Sequence, residues 1–234
     1  MKTFVVIATY NEKENIKQLL VDILALNIAG LEILVVDDNS PDGTAQIVQE
    51  NFQHSSVHLI VREGERGYGS AHMAGFQEAL LHQADIIISM DADFSHQPKV
   101  IPEMINQIQQ GYDVIIGSRR VPGGQIVGWG ATRKLASNTA MVLTRFILGI
   151  KTKDVTTGFR AYKAQIMPQL ELFTVKSNGY SFLEELIYRC EKKQLKIKEI
   201  PIIFNDRQFG KSKFSLKEII KFFITIFKLR LGIK

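Results

Sequence analysis

The segment TFVVIATYNEKENIKQLLVDILALNIAGLEILVVDD, residues 3 to 38, decides the fold of this chain. Residues 3 to 9 form an apolar run of strand length, and residues 31 to 38 form a second run of the same kind. The residues between them have the apolar periodicity of one helix face. The apolar positions are Ile16, Leu19, Leu20, Ile23 and Leu24. The segment therefore predicts a β-α-β unit with parallel strands.

The same alternation of strand-length and helix-period segments continues through the first half of the chain. Further strands are predicted at residues 56 to 63, 85 to 93 and 113 to 119, and helices at residues 43 to 52, 70 to 83 and 99 to 111. Repeated β-α units predict a Rossmann-like α/β fold, with a mostly parallel central sheet flanked by helices. In such sheets the ligand site lies outside the carboxyl ends of the strands.

Composition limits the class of protein. With 234 residues, 45% of them hydrophobic, the chain can bury one sizeable core. Its formal net charge of +5 favours anionic partners such as phosphates, nucleotides, a membrane surface or nucleic acid. Cys190 is the single cysteine, so it forms no intramolecular disulfide and is expected to be a small core residue.

Two aspartates follow the predicted strand at residues 85 to 93, within the sequence MDADFSHQP. Side chains two positions apart on an extended backbone point the same way, so Asp91 and Asp93 can converge on one cation. Carboxylate oxygens suit Mg²⁺ or Mn²⁺. A calcium-binding EF-hand loop is excluded because the segment lacks its glycine and its final glutamate. A phosphatase nucleophile would instead be expected at the first strand.

Acidic and glycine-rich segments follow the second and third strands. In VVDDNSPDGT, Ser40 is a predicted helix N-cap with Pro41 as the first helical residue. Asp37 and Asp38 then either bind a base or ribose or act only as turn and cap residues. RGYGSA matches neither a P-loop nor a dinucleotide fingerprint, and is predicted to be a flexible loop that enters a helix near phosphate.

Isolated basic residues in predicted turns could form a phosphate-binding basin if they lie on one side of the sheet. They are Arg119, Arg133, Arg160, Arg207 and Lys213. Residues 121 to 134 contain four glycines and are predicted to be a mobile loop beside the site.

The C-terminal segment, SLKEIIKFFITIFKLRLGIK, differs in character. Ser215 and Glu218 have the spacing of a capping box, and lysines recur along one stripe of an otherwise apolar helix. A basic amphipathic helix of this kind either lies in a membrane interface or packs on the protein core. We therefore expect a catalytic domain over residues 1 to 212 and an amphipathic helix over residues 213 to 234.

Taken together and in order, nine short motifs resemble the family-2 glycosyltransferases of the GT-A fold, in the branch that mannosylates dolichyl or polyprenyl phosphate. The motifs are ATYNE (8 to 12), VVDDNSPDGT (35 to 44), RGYGSA (66 to 71), MDADFSHQP (90 to 98), GSR (117 to 119), TRKLAS (132 to 137), TTGFRAY (156 to 162), GYSFLEE (179 to 185) and DRQFGKSK (206 to 213).

This resemblance implies a role for residues in each motif. The nucleotide would be bordered by Ala8, Tyr10, Glu12, Val36 and Asp38. The diphosphate of the donor would be met by Asp91, Ala92, Asp93, Arg119, Arg207 and Lys213. The metal ligands would be Asp91, Asp93 and Ser95, although some members have Gln in place of Ser95. The lipid phosphate would be received by Arg133 and Ser137, and the catalytic set would be Asp93, Arg119 and Arg133.

The resemblance also implies the reaction, which is transfer of mannose from GDP-mannose to dolichyl or polyprenyl phosphate, with inversion and with Mg²⁺ or Mn²⁺. A phosphate monoester has a second pKa of about 6, so it is already a nucleophile at neutral pH and needs no general base. Glu184 and Glu185 are the alternative bases, but they are expected at the helix surface.

The expected location is peripheral, on the cytoplasmic face of a membrane, where a membrane-anchoring partner could help to hold the enzyme. The alternatives are transfer of another sugar, such as glucose from UDP-glucose, transfer to a saccharide hydroxyl, and binding of a nucleotide sugar without catalysis. Nucleic-acid binding is not expected, because the basic residues are not interleaved with aromatic ones.

Overall fold

The computed structural model describes residues 1–64, 66–171, 179, 181–206 and 216–231. The strands in these ranges are β1 Thr3–Thr9, β2 Leu31–Asp37, β3 Val57–Val61, β4 Ile86–Asp91, β5 Val114–Ser118, β6 Gln125–Val127, β7 Arg160–Lys163, β8 Ile197–Pro201 and β9 Ile203–Asn205. The α-helices are α1 Ile16–Leu24, α2 Thr44–Phe52, α3 Tyr68–Leu81, α4 Ile101–Gln109, α5 Ala131–Leu148, α6 Phe182–Lys192 and α7 Leu216–Leu231. Short 3₁₀ helices cover Pro98–Val100 and Ala164–Leu170.

The central sheet has seven strands in the order β3-β2-β1-β4-β7-β5-β8. All its neighbouring pairs are parallel except those made by β7, which is antiparallel to both β4 and β5. The sheet confirms the predicted α/β class and its mostly parallel arrangement.

A hydrophobic core lies on each face of the sheet. Alternate residues of β1 supply the two cores, with Phe4 and Val6 on one face and Val5 and Ile7 on the other. Helices α3, α5, α6 and α7 cover the first face, and α1, α2 and α4 cover the second. The two-residue period of a strand is what divides one apolar run between the two faces.

Residues 121 to 134 differ from the predicted loop. Strand β6 pairs in parallel with β9, and α5 begins at Ala131, so Arg133 lies in a helix and not in a turn. The helix forms because Met141, Thr144 and Leu148 repeat at helical spacing and bury one face. It ends where Gly149 adopts a left-handed conformation with φ of 68°.

Helix α7 contacts both α5 and α6. Ile226 is fully buried in the first core, whereas Ile224 and Phe227 on the same helix are about half exposed, at 49% and 53%. The predicted cap at Ser215 lies outside the described residues, and the division at residue 212 stays a prediction. Within the described residues, none of the helices combines the length and the apolar character that spanning a bilayer requires.

The close approach of α3 to the sheet gives a first testable prediction. A Cβ atom at Gly75 would overlap Val6 Cγ1 and lie 3.1 Å from Val36 Cγ2. Helix propensity alone would make Gly75→Ala stabilising by about 1 kcal/mol. We expect the steric overlap to outweigh this gain, so that the free energy of unfolding measured in urea falls by about 1–3 kcal/mol.

The matched control is Gln77→Ala, which is on the same helix and should leave the free energy of unfolding nearly unchanged. A stabilised Gly75→Ala variant would mean that α3 is not held this close to β1 and β2.

Candidate active site

The carboxyl ends of three adjacent strands form one edge of the sheet. Ala8 of β1 pairs with Val36 of β2 on one side and with Asp91 of β4 on the other. Because the strands are parallel, the chain segments that follow them leave the sheet at the same edge. The motifs ATYNE, VVDD and MDAD are therefore brought together, as the sequence predicted for a site at the strand ends.

Three segments fix the position of Asp91. The hydroxyl of Tyr68 donates to Asp91 Oδ1 at 2.9 Å, and the backbone N–H of Asp91 donates to His96 Nδ1 at 3.1 Å. Gly158 lies against the same groups, since a Cβ atom there would overlap the Tyr68 hydroxyl and come within 3.0 Å of Asp91 Oδ1. The carboxylate is thus held by the start of α3 and packed against the TTGF segment, and the main chain of Asp91 is held by the loop after β4.

His96 contributes as a neutral ring. Burial lowers the pKa of His96, and the ring stacks on Phe159 with 5.0 Å between centroids. Nδ1 accepts a hydrogen bond from a backbone N–H, so it carries no proton. Nδ1 lies 3.8 Å from Asp91 Oδ2, which is close enough for an ion pair. Because the ring is neutral, the two groups do not form one.

Asp93 and Ser95 lie together in a tight turn. Phe94 between them has a φ of 59°, in the left-handed region that few non-glycine residues adopt. This conformation lets the backbone N–H of Ser95 donate to Asp93 Oδ1 at 3.1 Å. The hydroxyl of Ser95 is buried and has no hydrogen-bond partner within the described ranges. Ala92 is buried in the second core.

These oxygen atoms fit a hard divalent cation. Asp91 and Asp93 supply carboxylates on the same segment, and the unsatisfied Ser95 hydroxyl is one more oxygen donor. Magnesium is commonly held by one or two carboxylates, with water and substrate phosphate completing its shell. The described residues contain no cluster of three or more His, Cys, Asp or Glu side chains suited to a metal. Asp91, Asp93 and Ser95 as ligands stay a prediction.

The two aspartates at the end of β2 have different partners. Asp37 is fully buried and accepts hydrogen bonds from Thr9 Oγ1 and from both the N–H and the hydroxyl of Ser40. It is a turn residue, which is one of the two roles left open by the sequence. Helix α2 begins at Thr44, so the prediction that Ser40 caps it and Pro41 opens it is wrong, because Ser40 is held back by Asp37.

Asp38 joins β2 to the RGYGSA segment. Its Oδ2 accepts from the backbone N–H of Gly67 at 2.8 Å, and its Oδ1 lies 3.1 Å from Arg62 Nη1. The side chain is only 6% exposed. A role for Asp38 at the base or ribose stays a prediction, and the visible contacts show that it also positions the start of α3.

The other residues predicted at the nucleotide border the same strand ends. The hydroxyl of Tyr10 accepts from Arg66 Nη1 at 2.6 Å, and the Arg66 guanidinium lies over the Tyr10 ring at 4.6 Å. Glu12 Oε2 accepts from Asn15 Nδ2 at 2.9 Å. Val36 is buried in the first core, so it can border a ligand only through its main chain. These roles, and that of Ala8, stay predictions.

Arg119 lies at the end of β5 in a buried ion pair. Its Nε and Nη2 donate to the two oxygens of Asp154 at 2.8 and 2.6 Å, and its backbone N–H donates to the same carboxylate. Burial opposes ionisation of Asp154, but the adjacent Arg119 guanidinium outweighs it and holds the pKa of Asp154 below its ordinary value. The charge of Arg119, which was predicted to face the donor phosphates, is thus balanced within the protein.

The residues predicted to bind the acceptor lie on α5. Arg133 donates to Asp206 Oδ2 at 3.0 Å and stacks over Trp129 at 4.0 Å. Ser137 follows one turn later and accepts from Arg120 Nη2 at 2.7 Å. The sequence analysis did not single out Arg120. Arg207 and Lys213 lie outside the described residues.

Three other charged side chains contradict the sequence expectations. Arg160 is not in a turn but begins β7, is fully buried, and donates to the carbonyl oxygens of Leu183 and Val155. It therefore adds nothing to an exposed phosphate-binding basin. Glu184 and Glu185, expected at a helix surface, are both buried because the first turn of α6 packs into the core.

The chain belongs to glycosyl transferase family 2. Residues 4–170 match the model of that family, which is described as "Glycosyl transferase family 2". The fold, the grouping of strand ends and the family together make this protein a glycosyltransferase.

Several relatives of this chain are named as mannosyltransferases or mannose synthases of lipid phosphates. The polyprenol monophosphomannose synthase of Mycolicibacterium smegmatis is 38% identical over 92% of this chain and 81% of that protein. The undecaprenyl-phosphate mannosyltransferase of Micrococcus luteus is 38% identical over 92% of this chain and 88% of that protein. The dolichol-phosphate mannosyltransferase of Pyrococcus furiosus is 38% identical over 98% of this chain, which spans 64% of that protein.

Solved structures confirm the fold as GT-A-like. Glucosyl-3-phosphoglycerate synthase from Mycobacterium tuberculosis, in complex with phosphoglyceric acid, superposes with a TM-score of 0.71 at 17% identity, over 100% of this chain and 81% of that one. The same synthase with Mn²⁺, uridine diphosphate and glucosyl-3-phosphoglycerate gives a TM-score of 0.70 at 19% identity, over 100% and 81% of the two chains.

Glu184 gives a prediction that separates burial from catalysis. Burial raises the pKa of Glu184 to about 8. A carboxyl with a raised pKa is held protonated by the fold, so its contribution to stability is present below its unfolded value of 4.5 and is lost as the pH rises through about 8. We expect Glu184→Gln to become progressively more stable than the parent protein over this range, by a few kcal/mol at most.

Thermal or urea unfolding between pH 5 and pH 9 measures this difference, and glycosyl transfer should survive the substitution. Glu185→Gln is the control, because it removes the negative charge that pairs with Arg189 Nη2 at 2.5 Å and should lower stability. Loss of transfer in a folded Glu184→Gln variant would restore Glu184 as a candidate base.

Proposed function

We propose that this glycosyltransferase transfers mannose from GDP-mannose to dolichyl or polyprenyl phosphate, with inversion at the sugar and with Mg²⁺ or Mn²⁺ as cofactor. The observation that carries the proposal is the position of Asp91 and Asp93 at the end of β4, beside the ends of β1 and β2. Relatives at 38% identity that are named as polyprenol- and dolichol-phosphate mannosyltransferases support the choice of sugar and acceptor.

The donor would bind across the strand ends, with its diphosphate near Asp91 and Asp93. A divalent cation held there would neutralise charge on the diphosphate as it departs. A solved neighbour of the same fold contains Mn²⁺ and uridine diphosphate, which supports the pairing of a divalent cation with a nucleoside diphosphate. Tyr68 and His96 would keep Asp91 in place, since each makes a hydrogen bond with it.

The acceptor phosphate would be the nucleophile. One of its oxygens forms the new bond to the anomeric carbon, while the bond from that carbon to the donor diphosphate breaks and the nucleoside diphosphate leaves with the electron pair. No proton has to be removed from a phosphate dianion, so the reaction requires no general base. Glu184 is buried and its pKa is raised to about 8, so its carboxyl is protonated at neutral pH and is not expected to act as a general base.

An apolar surface on α5 and α7 suits a lipid acceptor. Its exposed members are Leu135, Val142, Leu143, Phe146, Ile224, Phe227 and Leu231. Exposed basic residues, including Lys134 and Lys228, lie on the same two helices. Apolar side chains flanked by cations favour the interface of an anionic membrane. We therefore propose that this surface lies on the cytoplasmic face of a membrane.

A donor panel tests the reaction. Purified protein is incubated with polyprenyl phosphate, Mg²⁺ or Mn²⁺, and one of GDP-mannose, UDP-glucose or UDP-GlcNAc, and the sugar in the lipid phase is measured. We expect GDP-mannose to give lipid-linked mannose. Asp93→Asn should reduce the rate by about a hundredfold or more at saturating metal, because it removes a negative charge that would hold the divalent cation.

Asp22→Asn, the same substitution on α1 where Asp22 bonds Gln18, is the matched control and should keep full activity. A different preferred donor would refute the mannose assignment. Hydrolysis of the donor without lipid product would refute the acceptor, and near-normal turnover by Asp93→Asn would refute the role of the carboxylates.

The membrane surface is tested by a single substitution, because α7 also supplies the buried Ile226 and cannot be deleted without exposing the core. Phe146, on α5, is 85% exposed, and Leu81, on α3, is 78% exposed. We expect Phe146→Glu to weaken sedimentation with phosphatidylglycerol vesicles by about tenfold or more. Leu81→Glu has the same charge change and should bind like the parent protein, and equal binding by both variants would contradict the proposal.

A further inference from the structure

Arg120 connects the end of β5 with helix α5. The residue follows Arg119, but its guanidinium bonds α5, whereas that of Arg119 bonds Asp154. Nη2 donates to Ser137 Oγ at 2.7 Å, and Nη1 donates to Asn138 Oδ1. Arg120 therefore meets the helix at the residue that is predicted to receive the lipid phosphate.

The charge of Arg120 is not balanced by a carboxylate among the residues that the structure describes. Asp154 is taken up by Arg119, which forms two side-chain hydrogen bonds with it. Arg120 forms no ion pair within the described ranges, and its buried Nε has no hydrogen-bond partner there. Partial burial lowers the pKa of Arg120, and the attraction of Asp154, which acts in the opposite direction, does not offset it.

A partly buried guanidinium without a counter-ion is unfavourable, and an anion bound beside it would remove much of that penalty. Arg133 differs in this respect, because it already pairs with Asp206 at 3.0 Å. Arg133 and Ser137 are four residues apart on α5, so they share one face of the helix. An anion at Ser137 would thus lie between a cation that has its own carboxylate and one that has none.

We propose that Arg120 binds the phosphate group of the lipid acceptor together with Ser137. A guanidinium offers paired N–H donors to a phosphate, and each Nη of Arg120 carries a second N–H beyond the one that it gives to Asn138 or Ser137. Ser137 can accept from Arg120 and at the same time donate its own O–H to a phosphate oxygen.

The chemical class of the ligand rests on the proposed function, but the binding can be measured without turnover. A short-chain polyprenyl phosphate and the matching polyprenol, both in detergent micelles, are titrated into the purified protein. We expect the phosphate to bind more tightly than the alcohol. Arg120→Gln should weaken binding of the phosphate by about ten- to a hundredfold and leave binding of the alcohol unchanged.

Two further variants separate ligand binding from a purely structural role. Arg120→Lys keeps the charge but loses the paired donors, so its affinity should fall between those of the parent and Arg120→Gln. Asn138→Ala removes the other contact of Arg120 with α5 and should leave phosphate affinity within about twofold. A tether between β5 and α5 would instead make Arg120→Gln and Asn138→Ala alike, with lower melting temperatures and a raised KM for the donor.

The outcomes distinguish this inference from the proposed function. If Arg120→Gln binds the lipid phosphate as well as the parent does, or if the parent does not prefer phosphate to alcohol, the inference is wrong. If the parent binds the phosphate through Arg120 but transfers no mannose, the inference stands and the proposed reaction fails. In an active enzyme, Arg120→Gln should raise the KM for polyprenyl phosphate and leave the KM for the donor unchanged.

Discussion

The parallel pairing of β1 with β2 and β4 is the constraint on which the site depends. The register sets Ala8 between Val36 and Asp91, and so it sets which side chains leave the sheet at its edge. A slip of one residue would exchange the two faces of β1 and put Phe4 and Val6 where Val5 and Ile7 now pack. The two hydrophobic cores therefore hold the register, and the register holds the carboxylates.

The fold also buries several charges, and their partners determine what each can do. Arg160 donates from its two Nη atoms to the carbonyl oxygens of Val155 and Leu183, which lie next to the site and at the start of α6. Arg119 is satisfied by Asp154. A guanidinium bonded in this way mainly ties segments together, because removing its partner would leave an uncompensated buried charge. Such residues hold the segments beside the site in position.

The sequence predicted the first half of the fold well, because strand and helix periods are local signals. The expected strands at residues 3 to 9 and 31 to 38 coincide with β1 and β2 almost residue for residue. It failed where the decisive contact is distant. The Arg119–Asp154 pair joins residues 35 apart, and the burial of Arg160 depends on α6. The importance of Tyr68 and Gly158 lay inside recognised motifs, but only the structure shows that both touch Asp91.

The two adjacent arginines after β5 have different partners, which gives Arg119 a structural role and leaves Arg120 for ligand binding. Arg119 turns inward to Asp154, and Arg120 turns towards Ser137 on α5. One carboxylate cannot neutralise two guanidiniums, so a net positive charge is left on the side that faces the helix. That helix carries exposed apolar residues along its length of about 27 Å. Charge at its start and apolar surface beyond it are the two properties that a phosphorylated lipid requires of one binding surface.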